Sequence, residues 1–136
     1  MPTVHVATFD GPGSPPVIRE VPKPEIPRKA ALIRIAACGV CGTDLHILKG
    51  HWPRPLTLGH ELAGVISEIG DDLTEDFMGQ PLEVGSKVML RDRYPWSEMQ
   101  TRYPFTEEGI GEAVKSAIEM RSVKSTIVPA PDLIGD

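Results

Sequence analysis

Only two cysteines occur in this 136-residue sequence, Cys38 and Cys41. So few exclude a disulfide framework, and a reducing, cytoplasmic location is the default expectation. Positive charge is also scarce. Fourteen Lys and Arg face nineteen Asp and Glu, for a net charge of −5. The basic residues are scattered, apart from the short Lys23 to Lys29 stretch and Arg91/Arg93. That pattern excludes a nucleic-acid-binding surface, which needs clustered Lys and Arg against phosphates. No apolar run approaches the roughly eighteen residues that span a bilayer, so no membrane segment is expected. The opening Met1-Pro2-Thr3-Val4-His5 has neither the basic nor the apolar region of a signal peptide. Internal repeats and low-complexity tracts are absent as well.

What remains is an ordinary composition, 40% hydrophobic and 24% charged, in a length that suits one domain with its own core. Short β-rich runs separated by Gly/Pro turns fill the first ninety or so positions. Strands are expected at Val4–Phe9, Val17–Val21, Ala31–Ala36, Leu62–Ile69 and Lys87–Leu90, because β-branched residues dominate and turn residues bound the runs. Gly11-Pro12-Gly13-Ser14-Pro15-Pro16 reads as a turn. This spacing points to a barrel or sandwich rather than a βαβ sheet. Further on, Thr106 precedes Glu107 and Glu108, and then Ile110, Ala113, Val114, Ala117 and Ile118 follow at helical spacing. A capped helix with an acidic first turn is expected there, weakened by Gly109 and Gly111. Lys124–Pro129 reads as a last strand ended by proline. Arg91–Tyr103 shows no periodicity and reads as a connector.

The chemistry concentrates in Cys41-Gly-Thr-Asp-Leu-His46 and Gly59-His60-Glu61. A thiolate, an imidazole and a carboxylate are ligand types that suit zinc. Thr43 adds a hydroxyl and His46 a second imidazole, able to carry a proton away from the site. A dinucleotide-binding turn, by contrast, needs Gly-x-Gly-x-x-Gly between a strand and a helix. Gly11 and Gly13 sit among prolines, and Gly109 and Gly111 open the expected helix with no strand expected close before them. Neither fits.

Residues 31–70 resemble the zinc-dependent medium-chain alcohol dehydrogenases. The likeness is carried by Cys-Gly-Thr-Asp-Leu-His, by Gly-His-Glu, and by Val-Gly-Ser-Lys-Val at 84–88, all in family order. Tyr103-Pro104-Phe105, its helix and Lys124–Pro129 resemble the family's C-terminal return to the catalytic domain. The resemblance implies a mainly β (α+β) fold: a GroES-like β-barrel with a short helix after Cys41 and a longer C-terminal helix. It implies one catalytic domain over 1–136, with barrel residues 1–90, a connector at 91–102 and the return at 103–136. That connector stands where the family carries its structural-zinc lobe and nucleotide-binding domain. So tight a join favours an engineered deletion over a natural gene.

On that resemblance Cys41 and His60 match ligands of the catalytic zinc, which lowers the pKa of a coordinated water or alcohol. Glu61 matches a carboxylate that approaches the metal during ligand exchange. Asp44 matches a carboxylate that orients the histidine ligand. Thr43 matches the hydroxyl that begins a proton relay, and His46 its outer end near the cofactor ribose. Trp52 falls at an aromatic wall of the substrate pocket, and equally suits plain packing. Lys124 falls where a basic residue reaches the pyrophosphate of NAD(P). The third protein ligand of the family lies in the segment this sequence lacks, leaving Glu61, Cys38 or water to complete the shell. The implied function is the catalytic domain of an alcohol/aldehyde oxidoreductase, weakly active or inactive alone, acting on a small alcohol or aldehyde. A face that has lost its partner domain is expected to expose apolar side chains, favouring a homo-oligomer or aggregation unless Tyr94, Trp96 and Tyr103 cover it. Two other readings stay open: a non-catalytic binding or assembly module, and a small thiol-redox protein using Cys38 and Cys41.

Overall fold

The computed structural model describes residues 1–89, 100–120 and 124–133. Its strands are β1 (Thr3–Phe9), β2 (Pro16–Pro22), β3 (Ala31–Gly39), β4 (Leu56–Thr57), β5 (Glu61–Ile69), β6 (Lys87–Met89), β7 (Gln100–Pro104) and β8 (Lys124–Val128). Helix α1 (Gly42–Lys49) follows β3, and helix α2 (Glu107–Ile118) lies between β7 and β8. The fold is therefore mainly β with a short helix after Cys41 and a longer one near the C-terminus, as expected. Pairing among the described residues divides the strands between two sheets, β2-β1-β4 and β6-β5-β3-β8-β7.

The Gly/Pro turn joins β1 and β2 as a hairpin that runs from Thr3 opposite Pro22 to Phe9 opposite Pro16. Gly13 takes φ +73°, and Ser14 closes the turn by donating to the carbonyl of Gly11 at 2.7 Å. Arg19 of β2 reaches back to form a bidentate pair with Asp10 at 2.8 and 2.9 Å. In the larger sheet, β3 and β5 pair antiparallel from Ala31 opposite Ile69 to Gly39 opposite Glu61, with two irregularities along β3. Gly64 sits at that crowded stretch. A Cβ there would lie 2.2 Å from the Arg34 carbonyl oxygen, so only glycine lets the strands approach this closely.

The C-terminal third departs from the expected barrel pattern. Strands β7 and β8 pair in parallel, Gln100 opposite Lys124 through Pro104 opposite Val128, with α2 as the crossover. The region is a βαβ unit grafted onto an antiparallel sheet, and part of the expected connector is a strand. Residues 90–99, including Tyr94 and Trp96, lie outside the described residues. Helix α2 starts as its sequence dictates: Thr106 is extended, and its Oγ1 accepts from the Gly109 N–H at 3.0 Å. Gly109 is buried because a Cβ there would sit 2.3 Å from the Pro104 carbonyl oxygen. The residue read as a weakness of the helix thus permits its close approach to β7. Glu107 also accepts from the outward Ile18 N–H of β2 at 3.1 Å, tying the helix to the smaller sheet.

The core lies where α2 covers β7, β8 and β2. Phe9, Ala36, Ile66, Ile110, Ala113 and Ala130 are buried, with Ile110 only 2% exposed. Phe77 and Met120 stand out as apolar side chains in solvent, 94% and 87% exposed. No helix among the described residues is long and apolar enough to cross a membrane.

Two surface clips make the fold sensitive to acid. Arg28 holds Asp72 by a bidentate pair at 2.9 Å, alongside backbone bonds from Asp72 N to Arg28 O and from Gly70 N to Ala30 O. Hydrogen bonding from Arg28 holds the Asp72 carboxyl below its ordinary value of 3.8, and Arg19 does the same for Asp10. A carboxylate whose pKa is depressed by folding stabilises the fold above its unfolded pKa, and that contribution is lost as pH falls through the folded value. Stability is therefore expected to fall as pH drops below about 3.8. Urea denaturation of Asp72→Asn over the same range checks it: the variant should lose less stability than the parent, and an identical pH profile would refute the assignment.

Candidate metal centre

Strand register builds this site. Because Gly39 of β3 lies opposite Glu61 of β5, the residues just beyond that last pair, Cys41 and His60, come together from two separate segments. Gly59 makes the turn into β5 at φ +122°, and a Cβ there would come within 2.7 Å of Cys38 Sγ. The glycine is required both by its backbone angle and by its neighbour.

Cys41 is the N-cap of α1, with φ −112° and ψ 171°. Three residues on, Asp44 folds back so that its Oδ2 accepts from the Cys41 N–H at 3.0 Å, as in a capping box. At the far end, Arg54 donates to the carbonyls of Ile47, Leu48 and Gly50 at 3.0–3.5 Å, closing the helix with a cation. The short helix is thus held at both ends by side chains.

Within the site, Cys41 Sγ lies 3.0 Å from His60 Nε2. On the other side of the ring, His60 Nδ1 lies 3.4 Å from Asp44 Oδ1. Asp44 is only 5% exposed, yet its Oδ1 makes no hydrogen bond. His60 itself is half open to solvent. One ligand atom from each of the three residues falls within 4.8 Å of the other two. Ligands of a tetrahedral zinc at its usual bond lengths stand about 3.6 Å apart, so sulfur and nitrogen at 3.0 Å need only a slight opening. The soft thiolate and the imidazole, backed by a carboxylate on the opposite ring nitrogen, fit zinc and its customary support.

The other expected site residues are distributed unevenly. Thr43 and His46 are exposed on α1 and three residues apart, hence on one face of the helix. Glu61 opens β5 and is half-buried, outside the three-residue cluster. Trp52 is 54% exposed and leans on Gly50, where a Cβ would meet its Nε1 at 2.7 Å. Lys124 opens β8 in backbone terms, while its side chain lies outside the described residues. An apolar cavity of about 50 Å³ adjoins Asp44, lined by Phe9, Leu48, Leu58, Ile110, Val114 and Ile127. It went unforeseen, since residues of β1, α1, α2 and β8 that lie far apart in sequence line it together.

The described residues offer no cradle that fits NAD(P). A strand does precede Gly109 and Gly111, contrary to the sequence reading. Both glycines, however, lie inside α2, and Gly109 is closed off by Pro104. A pyrophosphate needs such glycines in the turn ahead of the helix.

Residues 27–130 match the family described as the alcohol dehydrogenase GroES-like domain. Among curated relatives, an alcohol dehydrogenase of Geobacillus stearothermophilus is 45% identical over 83 residues, covering 58% of this chain and 22% of the relative. A sorbitol dehydrogenase of Halalkalibacterium halodurans is 41% identical over 79 residues, 57% of this chain and 21% of that protein. The crystal structure of an alcohol dehydrogenase from Thermotoga maritima superposes with a TM-score of 0.57 at 31% identity, over 65% of this chain and 25% of its own. The benzyl alcohol dehydrogenase of Acinetobacter calcoaceticus gives 0.56 at 29%, over 69% and 25%. The chain thus spans about a fifth of the length of the curated relatives it matches. By its motif order, its fold and the extent of this match, it belongs to the alcohol dehydrogenase GroES-like domain family, the catalytic-domain family of the zinc-dependent medium-chain alcohol dehydrogenases.

Proposed function

We propose that this chain holds the zinc and the proton relay of an alcohol dehydrogenase acting on a small alcohol or aldehyde. The observation that carries the reading is the 3.0 Å approach of Cys41 Sγ to His60 Nε2, with a buried carboxylate behind the ring. Zinc, when bound, supplies a Lewis acid that favours loss of a proton from a hydroxyl group. Cys41 and His60 would hold it, and Glu61, next in sequence to His60, would approach it during ligand exchange. Asp44, whose buried Oδ1 lies 3.4 Å from His60 Nδ1, would orient the imidazole so that Nε2 faces the site. Thr43 accepts the proton released by the alcohol and passes it to His46, which delivers it to solvent. NAD(P) is the family's redox partner, Lys124 and His46 are the residues that would approach it, and Trp52 would flank the substrate. Dehydrogenase activity of the chain by itself is weak or nil, since orientation of the reactants supplies about 7–11 kcal/mol of a barrier and the surface that orients the nicotinamide is not in this sequence.

Metal content measured alongside an alcohol panel with NAD and NADP tests this. The parent should retain about one zinc per chain at micromolar zinc, the ratio a Cys/His site takes up. Cys41→Ala should retain none, and any NAD(P)H formed should vanish on chelation. Zero zinc in the parent would end the proposal.

A further inference from the structure

We propose that the apolar cavity beside Asp44 is a binding site for a small hydrocarbon group of about two carbon atoms, a size that follows from its volume. That volume is about 50 Å³. A cavity of about 150 Å³ accommodates benzene, and a third of that space takes about two carbons.

The lining decides which kind of guest enters. Phe9 and Ile110 are buried and form the inner wall. Leu48, Leu58 and Val114 line the same space yet keep part of their surface in solvent, which places the mouth among them. Asp44 is the only strongly polar side chain among the described lining residues. A buried water needs two to four polar partners, so this space favours an apolar guest over water. A concave, mostly apolar wall with one polar group is also the usual form of a small-molecule site.

The position of the cavity gives its occupation a consequence. Phe9 comes from β1, Leu48 from α1, Ile110 and Val114 from α2, and Ile127 from β8. A guest touches all four elements at once, and those contacts exist only while the four are docked. Binding to the folded chain alone then stabilises that docking by mass action. The wall also includes Gly39 and Val40, just ahead of Cys41, and Gly59, just ahead of His60. The guest therefore lies against both segments that deliver the Cys41 and His60 side chains, and its binding requires no metal.

Dissolved xenon is the probe, read in methyl NMR spectra of the chain as it stands. A guest this small should bind with a dissociation constant in the millimolar range. The methyl resonances of Ile110, Val114 and Leu48 should shift along a saturating curve. Those of Ile118, on the same helix but 52% exposed, should stay in place. Val114→Phe sets a ring in the space and should abolish the shifts at Ile110 and Leu48. Leu58→Phe, which fills the cavity from outside α2, should do the same and serves as the second variant in case the first disturbs the helix. Shifts that rise linearly and equally at Ile110 and Ile118, or shifts at Ile110 that persist in both variants, would overturn the proposal.

Discussion

Ile110→Ala is expected to destabilise the fold by about 2–5 kcal/mol, in the upper part of that range. Ile110 is 2% exposed and lies on the face of α2 that covers β7, β8 and β2. It also lines the cavity of about 50 Å³ beside Asp44. Truncation would enlarge an existing void instead of opening a small new one, and cost rises with residual cavity volume. Single domains are stable by only about 5–15 kcal/mol, so this one side chain carries a large share of the total. Urea denaturation should show a midpoint lower by 1 M or more, given slopes of about 1–3 kcal/mol/M. Ile118, on the same helix but 52% exposed, serves as the reference, and its alanine variant should stay close to the parent. A loss below about 1 kcal/mol for Ile110→Ala would mean that α2 is not part of the core.

Asp44→Asn is expected to raise the dissociation constant for zinc by about 10–100-fold while leaving the fold nearly intact. The amide keeps the shape of the carboxylate and can still accept from the Cys41 N–H, so the start of α1 survives. What it loses is the charge that fixes the imidazole of His60. Asp44→Ala should show both losses together, because the Cys41 N–H then loses its acceptor in a part-buried setting. That orphaned donor costs about 1–3 kcal/mol. Competition titration with a chromophoric chelator reads the metal term, and urea denaturation reads the fold. Unchanged zinc affinity in Asp44→Asn would remove Asp44 from the site.

The strands that alternate or run apolar were legible from sequence to within a few residues at each end. β1, β2, β3, β5 and β6 all fall where β-branched runs and turn residues put them. Two strands were not. Leu56–Thr57 is a strand only because β1 offers its second edge to Thr57 and Leu56, a fact no local pattern contains. Gln100–Pro104 lacks apolar alternation and owes its conformation to a parallel partner beginning at Lys124. At the site, motif order gave Cys41, His60 and Asp44, and the register between Gly39 and Glu61 explains why they meet. The unbonded Oδ1 of Asp44 and the apolar cavity beside it depend on how α1 and α2 pack. Spacing along the chain carries no information about either.

The position of β8 has a consequence for the chain as it is made. It lies between β3 and β7 in the larger sheet, touching β3 through Ile127 opposite Cys38 and Thr126 opposite Gly39. The stretch of β3 that leads into the Cys41 turn therefore keeps an unpaired edge until the residues after 123 have left the ribosome. Through most of synthesis the nascent domain presents unsatisfied backbone groups beside its most reactive side chains. Exposed edges of this kind recruit other strands. Soluble yield should accordingly depend on how quickly the last strand is delivered, and the cysteine pair sits where a stalled intermediate is most vulnerable.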